Sequence, residues 1–404
     1  MRNRLCSSNS IFVFCTTDMK NFVLALLCLS CFGSHAQSYI PSYGAVADQV
    51  SASNILSRLT EFQSFGVKYR GTPAQANALQ WLKDQYMAYG YQAGQLAEDP
   101  FSYSGSTCKN LVVTKIGTTY PDIFVIIGGH YDTVNGPGTN DNGSGTAAIL
   151  ETARLLANIP TEYSIKFIHF AGEEDGLVGS THFVANVVNA TTPKMNIRLM
   201  LNLDQVGGVA GGNNTSVTCE RDQSNPVANN AASNAMTQQL MNCVSNYSSL
   251  NPVMSYAYGS DYVPFENNGE VITGLYETNE STVPHTANDL LVNMDPSYVY
   301  QIAKASVGAA LHFAVACTTC NLSAGIQPLR EPVLYPNPAT DFAILDMDGV
   351  SDCLIADLNG KIVRRLGPVG SDGKLDTSGL TNGEYLVVFT INGRQFTKKL
   401  LIAR

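Results

Sequence analysis

Five short stretches of this sequence concentrate the residue types that bind metals or move protons. They are Gly128-Gly129-His130-Tyr131-Asp132, Asn140-Asp141-Asn142-Gly143-Ser144-Gly145, Gly172-Glu173-Glu174-Asp175-Gly176, Asp204 with Gly207 behind it, and Pro284-His285-Thr286-Ala287-Asn288-Asp289. Each has an ordinary structural reading on its own. His130-Tyr131-Asp132 reads as a hydrogen-bonded turn, and Ser144 reads as the N-cap of a helix. Residues 173–175 read as a solvated acidic loop, and Asp204 as a turn cap. Together they offer imidazole and carboxylate donors with no thiolate, a set suited to a catalytic zinc site that keeps positions open for water and substrate. Two divalent ions ~3.5–4 Å apart need a carboxylate between them. Three Asp, two Glu and two His supply such a site and leave a carboxylate over to act as a base.

These stretches follow apolar segments. Phe124–Ile127 precedes the first, Ile165–Phe170 the third and Leu199–Leu203 the fourth, and all three read as buried strands. Leu111–Lys115 is a further strand. Leu79, Leu82, Tyr86 and Tyr89 fall at helical spacing after Pro73, which predicts a helix over 74–89. Ser144–Leu156, Met236–Val244 and Tyr298–Val315 also read as helices. Apolar strands separated by helices predict an α/β fold, a mixed central sheet with helices on both faces. In such sheets ligands bind beyond the carboxyl ends of the strands, where the polar stretches stand.

The five stretches resemble, in order and over residues 50–318 approximately, peptidase family 28, the co-catalytic zinc aminopeptidases. The resemblance implies a zinc exopeptidase-like fold and two Zn2+ as cofactors. His130 and Asp204 would bind one ion, Glu174 and His285 the other, and Asp141 both. Glu173 would be the general base acting on a metal-bridged hydroxide. Asp132 would orient the His130 imidazole, and Asp289 would position His285 in the same way. The resemblance also implies a cis peptide between Asp141 and Asn142. Family members carry Ser-Asp-His near the substrate; this chain has Ser260-Asp261-Tyr262-Val263-Pro264-Phe265, so Tyr262 replaces the usual His, and Tyr262 and Phe265 stand where substrate would be met. The implied activity is removal of N-terminal residues from peptides with a free N-terminus. Two other readings share these residues: a glutaminyl cyclase of the same fold with a single zinc, and a surface-displayed binding protein without catalysis. His169, His182 and His312 read as structural.

The ends of the chain concern export. Lys20, the apolar run Phe22–Phe32 and Ser34-His35-Ala36 read as a signal peptide over residues 1–36, with Met19 as an alternative start and Cys31 as an alternative lipoprotein site. The run is too short to span a bilayer, so no transmembrane anchor is expected in the mature chain. Residues 37–320 are then the enzyme domain and 321–332 a linker. Residues 333–404 contain short strands only, at Phe342–Leu345, Leu354–Leu358, Lys361–Leu366, Gly383–Ile391 and Phe396–Ile402, with Asn359-Gly360 and Asn392-Gly393 as hairpin turns. They predict a small antiparallel β-sandwich. Its Tyr335-Pro336-Asn337-Pro338 start, Gly383-Glu384-Tyr385 strand and Lys398-Lys399 resemble the C-terminal sorting domain of the type 9 secretion system. That implies an outer-membrane secretion machinery as partner and a secreted or cell-surface location. An accessory carbohydrate-binding domain is the rival reading and would need a platform of exposed aromatics.

The formal net charge of -9 argues against nucleic acid as a partner. The tail from 331 holds eight Lys/Arg and nine Asp/Glu, so the acidity belongs to the preceding part. Cleavage after Ala36 leaves Cys108, Cys219, Cys243, Cys317, Cys320 and Cys353, an even count that permits disulfides in an exported chain, with a local Cys317–Cys320 link or two inert thiols as the readings of that pair.

Overall fold

A computed structural model describes residues 38–318, 333–346, 350–358, 360–370, 372–391 and 394–404. The segments read as a signal peptide and a linker, Cys320, Asn359 and the expected Asn392-Gly393 turn lie outside the described residues. The chain divides into two compact units, residues 1–320 and 321–404.

In the first unit the helices are α1 (Pro41–Ala47), α2 (Ala52–Ser64), α3 (Pro73–Ala88), α4 (Gly143–Leu156), α5 (Val178–Phe183), α6 (Asn230–Tyr247), α7 (Val263–Asn267) and α8 (Pro296–Phe313). The strands are β1 (Leu96–Tyr103), β2 (Ser106–Lys115), β3 (Tyr120–His130), β4 (Tyr163–Phe170), β5 (Asn196–Leu203), β6 (Ser216–Arg221), β7 (Asn251–Tyr256) and β8 (Ile272–Glu277). They form one mixed sheet in the order β1-β2-β4-β3-β5-β8-β6-β7. Strands β4, β3, β5 and β8 run parallel at its centre, while β2 and β6 flank them antiparallel.

Both sheet faces are apolar because the strand repeat is two residues. Val125 and Ile127 of β3 join a core with α1–α4, α6 and α8, whereas Ile126 between them joins a second core with Phe183, Val184 and Phe265 on the other face. Helix starts follow local chemistry. Thr72 caps α3 with Pro73 in its first turn, and Asp295 caps α8 ahead of Pro296. The cap of α4 is Asn142, whose side chain accepts from the Gly145 N–H at 2.9 Å, and not the expected Ser144. Ser144 lies inside the first turn and donates to the Asn140 carbonyl at 2.6 Å.

Cys108, Cys219, Cys243 and Cys353 are buried and outside any disulfide, and Cys317 is disulfide-bonded. His169, His182 and His312 are engaged with Tyr86, Asp99 and Tyr247 at 2.9, 3.2 and 2.7 Å. Among the described residues no helix is long and apolar enough to cross a membrane.

The second unit contains β9 (Val333–Tyr335), β10 (Phe342–Asp346), β11 (Val350–Asp357), β12 (Ile362–Arg365), β13 (Lys374–Asp376), β14 (Gly383–Ile391) and β15 (Arg394–Ile402). They form two antiparallel sheets, β13-β10-β9 and β12-β11-β14-β15. Ala343, Leu345 and Leu375 of one sheet pack with Cys353, Ile355, Val387 and Phe389 of the other, a small β-sandwich with its own core.

Candidate metal centre and its supporting residues

Parallel strands end on a common edge, and three of the candidate stretches follow such ends. His130 is the last residue of β3, Glu173 and Glu174 follow β4, and Asp204 follows β5. Asp141 lies in the turn before α4, and His285 in the loop between β8 and α8. Glycine lets these backbones close up. A Cβ on Gly129 or on Gly145 would collide with the Leu203 carbonyl oxygen, so the ends of β3 and β5 and the start of α4 meet only because both positions lack a side chain.

His130 Nε2 lies 3.0 Å from Asp141 Oδ1 and 3.3 Å from Asp204 Oδ1. The second oxygen of Asp141 is 2.9 Å from His285 Nε2, which is itself 3.0 Å from Glu174 Oε2. Asp141 therefore belongs to two clusters, His130–Asp141–Asp204 and Asp141–Glu174–His285, with the donor atoms in each within 4.8 Å of one another. Zinc ligands at about 2.0–2.1 Å in a tetrahedron stand about 3.3 Å apart. The spacings and the nitrogen and oxygen donors both fit zinc. The first cluster is buried, while the His285 side chain is 56% exposed and leaves one side open. The Asp141–Asn142 peptide is cis, as the family resemblance implies.

The acidic groups dominate the electrostatics. Burial opposes a charged His130, yet Asp204, Glu173 and Asp141 hold its proton affinity well above the usual imidazole range. His285, bonded to Asp141 and Glu174, rises to about 10. Burial pushes Asp141 up, but the two imidazoles outweigh it and bring the carboxyl down to about 2. Glu173 belongs to neither cluster and approaches His130 Nε2 at 4.0 Å. Burial drives its carboxyl well above the ordinary range, and Asp204, Asp261 and Asp141 add repulsion against the pull of His130. A divalent cation offsets this surplus of negative charge.

Four expected roles take a different form. The atom of Asp132 that meets His130 Nδ1 is its backbone oxygen, at 3.1 Å, with the carboxylate at 3.7 Å. The carboxylate instead accepts the N–H groups of Glu173 and Glu174 at 3.2 and 3.3 Å, fixing the loop that carries them. Asp289 does not bond His285. Its carboxylate accepts the N–H groups of Asn140 and Asp141 at 2.7 and 3.0 Å. Phe265 is wholly buried between Phe170 and Phe183, so it is a core residue with no face for substrate. Tyr262 is 1% exposed, with its hydroxyl held by Glu220 and the Tyr258 N–H. Neither can line an open pocket.

Several supporting residues escape sequence reasoning. Gln205 donates to Asp141 Oδ2 at 3.2 Å and accepts from Tyr276 at 3.1 Å. Ser260 donates to Asp204 Oδ2 at 2.6 Å. Asp261 is fully buried near Glu173, and burial pushes it up to about 7. Glu277 accepts from the Asn140 amide, Gly208 N–H and Ser281 N–H, joining three loops. Lys68 is buried with its ammonium on the carbonyls of Phe62, Gly66 and Pro137. Gln205 and Glu277 stand at the ends of parallel strands, where the strand-end rule points, and Ser260 and Asp261 lie in the stretch that resembles Ser-Asp-His, but their partners are remote in sequence.

Residues 110–310 match peptidase family M28, and residues 333–403 match the secretion system C-terminal sorting domain. A probable zinc metalloprotease of Pyrenophora teres f. teres is 32% identical over 195 residues, 41% of this chain and 39% of that protein. An aminopeptidase of Pseudomonas aeruginosa is 45% identical over 103 residues, 25% of this chain and 19% of that one. The chain thus spans less than half the length of these relatives. Among solved structures, the LapA aminopeptidase of Legionella pneumophila has a TM-score of 0.58 at 21% identity, covering 69% of this chain and 77% of that one. A glutaminyl cyclase of Fimbriiglobus ruber has a TM-score of 0.54 at 14% identity, covering 65% and 95%. Both structures share the fold.

Proposed function

From a chain that carries a peptidase family M28 domain with a secretion system C-terminal sorting domain behind it, we propose an exported aminopeptidase that holds two zinc ions and hydrolyses the first peptide bond of peptides. The observation that carries the reading is the division of Asp141, one oxygen toward His130 and the other toward His285. His130 and Asp204 would complete the protein ligands of one ion, Glu174 and His285 those of the other. Zinc bound there would lower the pKa of a coordinated water toward neutrality and polarise the scissile carbonyl.

The protein groups divide the remaining work. Glu173 stands beside the clusters without joining either, so its carboxylate is free to take a proton from the attacking water and deliver one to the departing amine. Its raised proton affinity suits a group that must hold a proton between those steps. Asp132 holds the backbone of Glu173 and Glu174, which fixes the base relative to the ligands. The surplus of carboxylates attracts the cationic α-amine of a free N-terminus on the open side beside His285.

The glutaminyl cyclase fold offers the competing chemistry, with one zinc and cyclisation. Zinc content per chain, measured with hydrolysis of aminoacyl-anilides and cyclisation of an N-terminal glutaminyl peptide, separates the two. Two ions with hydrolysis support the proposal, and one ion with cyclisation overturns it. Asp141→Ala should retain less zinc after dialysis than His130→Ala, because Asp141 serves both ions. Equal retention removes the case for a shared carboxylate.

A further inference from the structure

A carboxylate that belongs to neither cluster gathers the loops that carry the ligands. Glu277 ends β8 and is 1% exposed. It accepts the Asn140 side-chain amide at 3.1 Å on each oxygen, the Gly208 N–H at 2.6 Å and the Ser281 N–H at 2.7 Å. Asn140 precedes the shared ligand Asp141, Gly208 follows Asp204, and Ser281 precedes His285. Asn140 is fully buried, and its amide oxygen accepts the Gly207 N–H at 2.8 Å, so the nitrogen is the atom left for Glu277.

The five candidate ligands are not held alike. His130 ends β3 and Asp204 follows β5, so the first cluster is placed by neighbouring parallel strands. The backbone of Glu174 is held by Asp132. His285 has no strand beneath it. It lies in the connection between β8 and α8 at a φ of +59°, in the left-handed region that residues other than glycine rarely adopt. A residue keeps such a conformation only where its surroundings enforce it. Two carboxylates flank it. Four residues before His285, Ser281 is tied to Glu277, and four residues after it, Asp289 accepts the N–H groups of Asn140 and Asp141. Both ties end on the turn of Asp141, one through the Asn140 side chain and one through the backbone. Between them His285 Nε2 stands 2.9 Å from Asp141 Oδ2.

We infer that Glu277 is a positioning residue for the second metal ion: it clasps the loop of His285 to the turn of Asp141 and so sets the imidazole where that ion needs it. The inference rests on the two-zinc reading. Without Glu277, Asp141 keeps its backbone ties to Asp289, and His130 and Asp204 keep their strands. The loss therefore falls on the second ion and spares the first.

The test measures zinc affinity of the full chain by competition with a chromophoric chelator. The wild type is compared with Glu277→Ala and with Leu82→Ala, which removes a fully buried core side chain on α3. The wild type should take two zincs. Residues that orient a metal ligand contribute about 10–100-fold to affinity, so Glu277→Ala should weaken one ion by that factor and leave the other at its wild-type value. His285→Ala should then cost less in the Glu277→Ala background than in the wild type, because both act on the same ion. Leu82→Ala should lower Tm and keep both affinities, which separates positioning from stability. Equal weakening of both ions, wild-type affinities in folded Glu277→Ala, full additivity with His285→Ala, or the same selective loss in Leu82→Ala each overturns the inference. A wild type that takes a single zinc defeats the two-zinc reading, and this inference with it, before any variant is compared. Should Glu277→Ala fail to fold, Glu277→Gln replaces it. In either orientation its NH2 faces Asn140 and one of the Gly208 and Ser281 N–H groups, so the same selective loss is expected, and unchanged affinity there counts against the inference equally.

Discussion

Asp289→Ala probes how the central carboxylate is held. Asp289 accepts the N–H groups of Asn140 and Asp141 at 2.7 and 3.0 Å, and all three residues are buried. The substitution leaves two buried donors unmet, each costing about 1–3 kcal/mol, so the variant should lose about 2–6 kcal/mol of stability. A domain of this size changes its Tm by roughly 2–4 °C per kcal/mol, so a fall of about 4–24 °C is expected. Asp141 itself is displaced, and with it both clusters. Calorimetry of the metal-free protein reads the stability loss, and metal analysis after dialysis reads the site. The alternative role, orientation of His285, touches one cluster only. A variant with wild-type Tm that loses no more zinc than His285→Ala would refute the backbone-holding argument.

Glu173→Gln should lower kcat by ~10²–10⁴ while metal content stays at the wild-type level; activity near wild type would exclude Glu173 as the base. Phe265→Ala should destabilise the fold by about 3–5 kcal/mol, seen in denaturant unfolding, with KM for a short peptide unchanged in the folded fraction; a raised KM at unaltered stability would return Phe265 to the substrate pocket. Burial brings Lys68 down to about 7 from 10.5, so the folded chain releases this proton first and the unfolded chain binds more protons between those values. Stability therefore rises with pH through that window, by up to about 1.4 kcal/mol per pH unit, and Lys68→Met should remove this contribution; parallel unfolding profiles of the two proteins from pH 7 to 10 would contradict it. Deleting residues 333–404 should leave peptidase activity intact and stop release from the producing cell; truncated enzyme reaching the medium at the full-length level would refute the sorting role.

The strands with unbroken apolar runs were legible in the sequence, and so were the polar stretches that follow them. Phe124–Ile127 and Leu199–Leu203 lie within longer strands, because Asp122, Gly128, Gly129 and His130 in the first and Asn196 and Arg198 in the second interrupt the apolar pattern toward the strand ends. Strands β1, β6, β7 and β8 are not legible in the sequence. β1 and β7 are half-exposed at the sheet edges, as in the Leu96–Tyr103 stretch with Glu98, Asp99 and Pro100, while the more buried β6 and β8 have their apolar residues interrupted by Thr218 and Glu220 and by Thr273 and Gly274, so no apolar run marks them. The donor types at His130, Asp141, Glu174, Asp204 and His285 could be read in order, and the structure brings these five together. The partners of the supporting residues could not be read. The resemblance assigns imidazoles to Asp132 and Asp289, whereas the hydrogen bonds of their carboxylates go to backbone N–H groups, with the Asp132 carboxylate left 3.7 Å from the His130 ring. Tyr262 and Phe265 follow polar Ser260 and Asp261, and sequence alone does not show that the short helix α7 turns its aromatic side into the core.

His130 and His285 lie far apart in the first unit, and the last of the five donors follows β8, which pairs with β5, in the sequence. A growing or partly threaded chain that ends before His285 therefore has at most one of the two clusters. It cannot gather the second by local rearrangement, because the missing imidazole has not yet been made or has not yet passed. Under the two-ion reading, hydrolytic competence thus waits on the chain through His285, late in the sequence of the first unit.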